Sequence, residues 1–151
     1  MLYIFMGQSC TGKSTVANKV KELKEVEVFT GKDYLRMAKN ENEAWRLFYE
    51  KLSNAAPNKD SSKEIVIYLI TEKAQLDRII DIEGSYKVKF TASLDTIKSR
   101  FAQRMHGKLP PPVEKMLNNQ YEEWKNIKGD INVDTTVDND VEKIVSLIGH
   151  Q

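Results

Sequence analysis

Cysteine is nearly absent from this chain, glycine and proline are sparse, and neither sign of charge prevails. Cys10 is the single cysteine, so no internal disulfide can form and the disulfide-stapled secreted class is excluded. No apolar run approaches the ~20 residues that span a bilayer. Met1 to Met6 lacks a basic leader and is too short for a signal peptide, which makes a cytoplasmic protein the expectation. Lys and Arg number 23 against 22 Asp and Glu, a net charge of +1. That balance predicts neither a nucleic-acid polymer nor a membrane as partner. Any anion site must be local.

What is present is enough for one core. The 151 residues, 40% of them hydrophobic, suit a single domain over residues 1–151 that buries roughly two-thirds of its unfolded surface without a metal or disulfide. No internal repeat or low-complexity segment appears. The longest polar stretch, residues 54–64, is short enough for a surface loop.

Hydrophobic spacing supplies the element order. Leu2 to Met6 is an apolar run of strand length, punctuated by Gly7. Val16, Val20 and Leu23 follow at helical spacing. Val26 to Thr30 reads as a second strand, and Asp33 to Leu52 as helix in one or two pieces. Ile65 to Ile70 is the most apolar run and predicts a central strand buried on both faces. A helix over Glu72–Ile82 and a strand over Tyr86–Phe90, with one face less buried, come next. Asp95 is the expected cap of a helix running to about His106. A helix over Val113–Lys128, a short strand at Ile131–Val133 and a last helix capped by Asn139 and Glu142 complete the chain. Strands and helices alternate, which implies right-handed crossovers, a five-stranded parallel sheet and a three-layer α/β/α sandwich. Binding then belongs at the carboxyl ends of the strands.

One loop carries the chemistry. Gly7-Gln8-Ser9-Cys10-Thr11-Gly12-Lys13-Ser14 matches G-x-x-x-x-G-K-[ST] without departure, after a strand and opening a helix. Glycines there let successive N–H groups point inward as a nest for phosphate oxygens. The helix start adds unpaired N–H groups and the positive end of its dipole. Lys13 is placed to reach the β- and γ-phosphates, Ser14 to ligate Mg²⁺, and Thr15 to contact the α-phosphate. A redox or nucleophilic role for Cys10 is the lesser expectation, because neither histidine lies near it in sequence.

With this loop, its size and its element order, the chain resembles the P-loop kinases, in particular the nucleoside monophosphate kinase-like group that includes adenylate and shikimate kinases. Residues 30–38, Thr-Gly-Lys-Asp-Tyr-Leu-Arg-Met-Ala, are similar to the adenylate kinase segment T-G-D-x-L-R-x-A with Lys32 inserted. The resemblance implies a P-loop NTPase fold, ATP as donor, Mg²⁺, and Arg36 as a ligand of the acceptor's phosphate. Asp33 would lie near the γ-phosphate and Mg²⁺ or contact the acceptor. The bland reading of the pair is a solvated i,i+3 ion pair. An acceptor-binding helical segment is implied over about 31–60 and a short lid over about 100–120. Arg100 and Arg104, four apart on one helix face, would close over the donor phosphates, with Gly107 as hinge and Pro110 to Pro112 stiffening the lid. Of the two, Arg104 is the expected transition-state contact. The residues before the last helix, Asp134 to Asp138, would read the donor base, weakly favouring adenine.

The likeness also breaks. Thr71-Glu72-Lys73 follows the third strand where adenylate kinases carry a glycine-phenylalanine-proline-arginine run and shikimate kinases a glycine triplet, and no carboxylate ends that strand. Glu72 either polarises a water on Mg²⁺ or is a helix-start acid favoured by the dipole. The zinc-binding cysteines of some adenylate kinase lids are missing, and His106 and His150 have no metal-ligand spacing. Trp45, Phe48, Tyr49, Tyr121 and Trp124 are expected in the core rather than stacked on a base. The function expected is transfer of the ATP γ-phosphoryl group to a small-molecule acceptor, first of all a nucleoside monophosphate. The alternatives are kinases of a non-nucleotide metabolite (shikimate-like, a sugar acid or an antibiotic) and a non-catalytic nucleotide-binding module.

Overall fold

A computed structural model of the chain describes residues 1–56, 65–137 and 141–149. Apolar runs become strands and amphipathic stretches become the helices that cover them. In order these are β1 (Leu2–Met6), α1 (Lys13–Leu23), β2 (Val26–Thr30), a 3-10 turn (Asp33–Met37), α2 (Glu41–Ala55), β3 (Ile65–Ile70), α3 (Lys73–Ile79), β4 (Tyr86–Thr91), α4 (Leu94–Arg104), α5 (Pro111–Trp124), β5 (Ile131–Asp134) and α6 (Val141–Gly149). The sheet is five-stranded and all parallel, in the order β2-β3-β1-β4-β5. This is the α/β architecture that the alternation predicts.

Period-two alternation divides each central strand between two cores. Leu2, Ile4, Met6, Val66, Tyr68 and Ile70 face α2 and α3. Tyr3, Phe5, Ile67, Leu69, Val88 and Phe90 face α1 and α6. A smaller cluster of Cys10, Ala92, Ile97 and Leu117 packs α4 and α5 against the loop after β1. β1 lies between β3 and β4, with Met6 level with Ile70 on one side and Lys89 on the other. The chain leaves β1 toward β2 and β3, and later crosses to β4 and β5. A crevice therefore opens beyond the carboxyl end of β1, the switch point where such folds bind ligands.

Several boundaries differ from expectation. Ser93, not Asp95, caps α4, its hydroxyl accepting the Thr96 N–H at 3.2 Å. Pro111 and Pro112 open α5 instead of stiffening a loop, since proline's missing N–H costs nothing in a first turn. α5 stops at Trp124, four residues early. Its terminal carbonyl is taken at 2.6 Å by the Lys89 ammonium, so the β4 face expected to be less buried holds a buried lysine. Phe48 and Trp124 are buried as expected, and the Trp124 indole donates to the Thr71 carbonyl at 2.7 Å. Asn139 and most of the polar stretch 54–64 fall outside the described residues, as does the end of the 31–60 segment.

Candidate functional site

The loop between β1 and α1 folds tightly for identifiable reasons. Gly7 has φ 141°, and a Cβ there would stand 2.2 Å from the Phe90 carbonyl oxygen. Gly12 has φ 93° and is the N-cap of α1, with no side chain capping the helix. The first-turn amides are thus open to an anion. Between them Cys10 takes φ 64°, an uncommon conformation for a residue with a side chain. Its neighbours hold it there. Arg100 Nη1 donates to the Cys10 carbonyl at 2.9 Å and to Thr135 Oγ1 at 3.0 Å, while Nη2 donates to the Thr135 carbonyl at 3.1 Å. Thr135 Oγ1 donates in turn to the Thr11 carbonyl at 3.1 Å. The Thr11 hydroxyl donates to the Gln8 carbonyl at 2.8 Å, and the Gln8 amide to the Leu117 carbonyl of α5 at 3.1 Å.

Lys13 is buried in this frame, and its ammonium donates to the carbonyls of Gly7 at 2.5 Å and Gln8 at 2.8 Å. Burial lowers its pKa to about 8, with nearby Arg104 adding to the effect and Cys10 opposing it. Burial pushes the Cys10 thiol up, against the pull of Arg104, Lys13 and Arg100. The thiol lies inside the α4–α5 cluster, the surroundings of an inert cysteine.

A cavity of about 320 Å³ opens over this loop. Ser9 to Thr15 form one side, and Thr30, Gly31, Leu69, Thr71, Glu72, Gln75 and Arg104 form the rest. A second cavity of about 210 Å³ adjoins it, lined by Gly12, Thr15, Arg100, Arg104, Thr135 and Ile144 among others. Arg104 borders both, is exposed, and has no hydrogen bond or ion pair among the described residues. The two arginines of α4 therefore differ: Arg100 is fastened, and Arg104 is unpaired among the described residues.

Glu72 caps α3 in a capping box, its carboxylate accepting from the Gln75 N–H, as expected of an acid at a helix start. It also borders the larger cavity. The Ser14 hydroxyl is exposed there, with no partner among the described residues. No group of three or more His, Cys, Asp or Glu that could hold a metal occurs among the described residues. A lone hydroxyl beside an anion nest suits Mg²⁺, which keeps most of its waters and takes phosphate oxygens.

The structure does not bring Asp33 and Arg36 to the cavity wall. Asp33 Oδ2 accepts the Thr30 N–H at 2.8 Å, and its other oxygen lies 3.9 Å from Arg36, whose side chain is 86% exposed. Their immediate neighbours Thr30 and Gly31 do line the cavity. Gly31 lies close under the Gln75 side chain, whose amide nitrogen would stand 2.2 Å from a Cβ there and would have to move aside for one. Its carbonyl accepts from the Tyr68 hydroxyl at 3.0 Å, and burial pushes that phenol up to about 12, so it remains a donor. Gln75 is the wall residue the sequence reading passed over. Its Oε1 accepts the amides of Thr71 and Glu72 at 3.0 and 3.1 Å, fixing the turn after β3. The capping-box spacing Glu72-x-x-Gln75 was the available signal.

No family model matches the chain, and no curated protein sequence matches it. Solved structures match throughout its length. The shikimate kinase from Acinetobacter baumannii in complex with shikimate superposes with a TM-score of 0.61 at 14% identity, covering 99% of this chain and 93% of that one. A gluconokinase from Sinorhizobium meliloti gives 0.60 at 20% identity over 95% and 86%. The YorR protein from Bacillus subtilis, in complex with phosphorylated GDP, gives 0.53 at 22% identity over 100% and 99%. Identities this low establish a shared fold, the P-loop kinase fold, and nothing finer.

Proposed function

We propose that this P-loop kinase fold serves a small-molecule kinase that moves the γ-phosphoryl group of ATP to an acceptor held between the β2 end and α3. The observation that carries this reading is the Gly7–Ser14 loop itself. It wraps an uncapped helix start and a buried lysine around the mouth of a 320 Å³ cavity at the switch point of the sheet. On donor entry Lys13 exchanges two carbonyls of its own loop for β- and γ-phosphate oxygens. The first-turn amides of α1 hold the same oxygens, and Ser14 would hold Mg²⁺, which would supply neutralisation of charge on the phosphate chain. Arg100 keeps the loop and the Thr135 segment in register, so the donor base takes the 210 Å³ cavity beside them. Arg104 is the mobile cation that meets charge developing in the transition state.

Two acceptor classes remain in play. A nucleoside monophosphate is already ionised and needs no general base. A hydroxyl acceptor does, and the shikimate kinase and gluconokinase neighbours favour keeping that alternative. For it, Asp33 is the base if acceptor entry displaces the Thr30 amide, with Glu72 the carboxylate already at the wall. The test is ATP consumption with a panel of nucleoside monophosphates, shikimate and sugar acids. An acceptor that raises turnover well above the water background is the expected result. Uniformly background turnover would leave a nucleotide-binding module without kinase activity.

A further inference from the structure

Hydrogen bonds tie α5 to both sides of the crevice. Near its middle, the buried Gln8 side chain of the phosphate loop donates to the Leu117 carbonyl at 3.1 Å. At its end, the Trp124 indole donates to the Thr71 carbonyl at 2.7 Å. The Glu123 carboxylate accepts the N–H of Lys73, the first residue of α3, at 3.2 Å. Thr71 and Glu72 border the 320 Å³ cavity whose other side is the loop. The buried Lys89 ammonium reaches the Trp124 carbonyl at 2.6 Å, where the negative end of the helix dipole answers its charge.

We propose that Gln8 and Trp124 are positioning residues of the transfer reaction, and that α5 is the strut through which they set the distance between the phosphate loop and the Thr71–Glu72 wall. This rests on the kinase reading above and adds what aligns donor with acceptor. The pairing of β1 with β3 ends at Met6 and Ile70, so the sheet stops short of both the loop and the wall. Between the loop and the end of α5 lies a cavity of about 70 Å³, lined by Gln8, Thr11, Lys89, Tyr121 and Trp124 among others. Direct packing therefore does not fill that space, and the helix spans it. Leu117 and Trp124 are both buried and stand two turns apart on one face, a separation of about 10 Å that an intact helix cannot vary. The Gln75 cap shapes the turn after β3 from within its own helix. The Trp124 bond fixes where that turn stands relative to the loop. The residue types fit this purpose. Phenylalanine would fill the Trp124 site and methionine the Lys89 site without burying a polar group, but neither could hold a carbonyl. Transfer needs the reacting atoms near contact, and a misplacement of about 1 Å costs about a hundredfold in rate.

The experiment compares the wild-type protein with Gln8→Met and Trp124→Phe, each of which cuts one end of the strut with little change of volume. Hydrogen exchange is followed at the Thr71, Glu72 and Gln75 amides, with β1 as the control for global opening. Turnover with ATP is measured on AMP, GMP, shikimate and gluconate, and Mg²⁺-ATP affinity by titration. Gln8→Met, a change on the loop, should speed exchange at the Thr71, Glu72 and Gln75 amides about tenfold or more while β1 stays protected. Trp124→Phe should do the same from its own end. It should also lower kcat, per folded molecule, about tenfold or more on any acceptor that is turned over, with acceptor KM and ATP affinity near their wild-type values. Lys89→Met frees the same end with the indole intact and should give a smaller loss in the same direction; it carries the kinetic test if Trp124→Phe does not fold. The proposal is overturned if Gln8→Met leaves the Thr71, Glu72 and Gln75 amides as protected as before, or if Trp124→Phe keeps the wild-type kcat. Faster exchange there in Gln8→Met, in a protein that turns over none of the four acceptors, would uphold the strut and defeat the kinase reading.

Discussion

On the proposed kinase reading, the donor and acceptor sides of the crevice are built in opposite ways. On the donor side each turn of the loop is fastened: Gln8 to α5, Cys10 and Thr135 to Arg100, Lys13 to two carbonyls. On the acceptor side the 3-10 turn is held by the Asp33 cap on Thr30 and by aromatic packing, while Arg36 hangs in solvent. A triphosphate is the same in every reaction, so its cradle can be rigid before it arrives. The acceptor differs between enzymes of one fold, and its wall is made of side chains that the fold does not prescribe. Preorganisation sits where the charge is greatest.

Substitutions can break this contrast. The largest effect is expected from Lys13→Ala, which removes the cation proposed to contact the transferred group. Phosphoryl transfer should fall by a factor of about a thousand, some 4 kcal/mol of transition-state stabilisation, read as kcat/KM. Gly7→Ala places a methyl against the Phe90 carbonyl at a φ of 141°. A loss of about 1–3 kcal/mol in stability is expected from backbone strain, with nucleotide binding lost alongside, checked by denaturant melts and ATP titration. The two arginines of α4 should separate. Arg104→Ala should lower kcat about a hundredfold and leave the melting temperature in place. Arg100→Ala should lower the melting temperature, at a cost of about 1–3 kcal/mol for lost charge-assisted bonds to Cys10 and Thr135.

A smaller effect concerns protons. Lys13 has its pKa lowered to about 8 by burial, and bound phosphates favour its charged form. ATP binding near pH 8–9 should therefore take up protons, measured as binding heats that differ between buffers of unlike ionisation enthalpy. Apparent ATP affinity should weaken as pH rises through that range. The sign for stability is the reverse. A lysine whose folded pKa is lowered binds fewer protons folded than unfolded, so this group's contribution to stability improves as pH climbs from about 8 toward its ordinary value. The smallest effect is expected from Arg36→Ala, an exposed side chain whose loss should change stability by less than about 0.5 kcal/mol.

The sequence was legible where local chemistry leaves few options. The parallel, layered α/β arrangement follows from alternation, while the spatial strand order does not; the loop follows from eight residues whose glycines and lysine fit one arrangement. The rest depended on tertiary partners. Ser93 and Asp95 are both good caps by residue type, and only the entry direction of the chain after β4 selects Ser93. Lys89 looked like a residue of an exposed strand face until the end of α5 supplied a carbonyl for it. Arg100 and Arg104 are alike on a helical wheel, yet the 134–136 segment fastens one and leaves the other free. Arg36 matched a motif, yet the turn that carries it leaves its side chain in solvent, paired only with Asp33.

The most direct measurement is calorimetric titration of Mg²⁺-ATP into the wild-type protein and into Lys13→Ala. The account requires saturable, one-to-one binding by the first and its loss in the second, with the fold intact by circular dichroism. Equal affinity in both, or no heat in either, would contradict it.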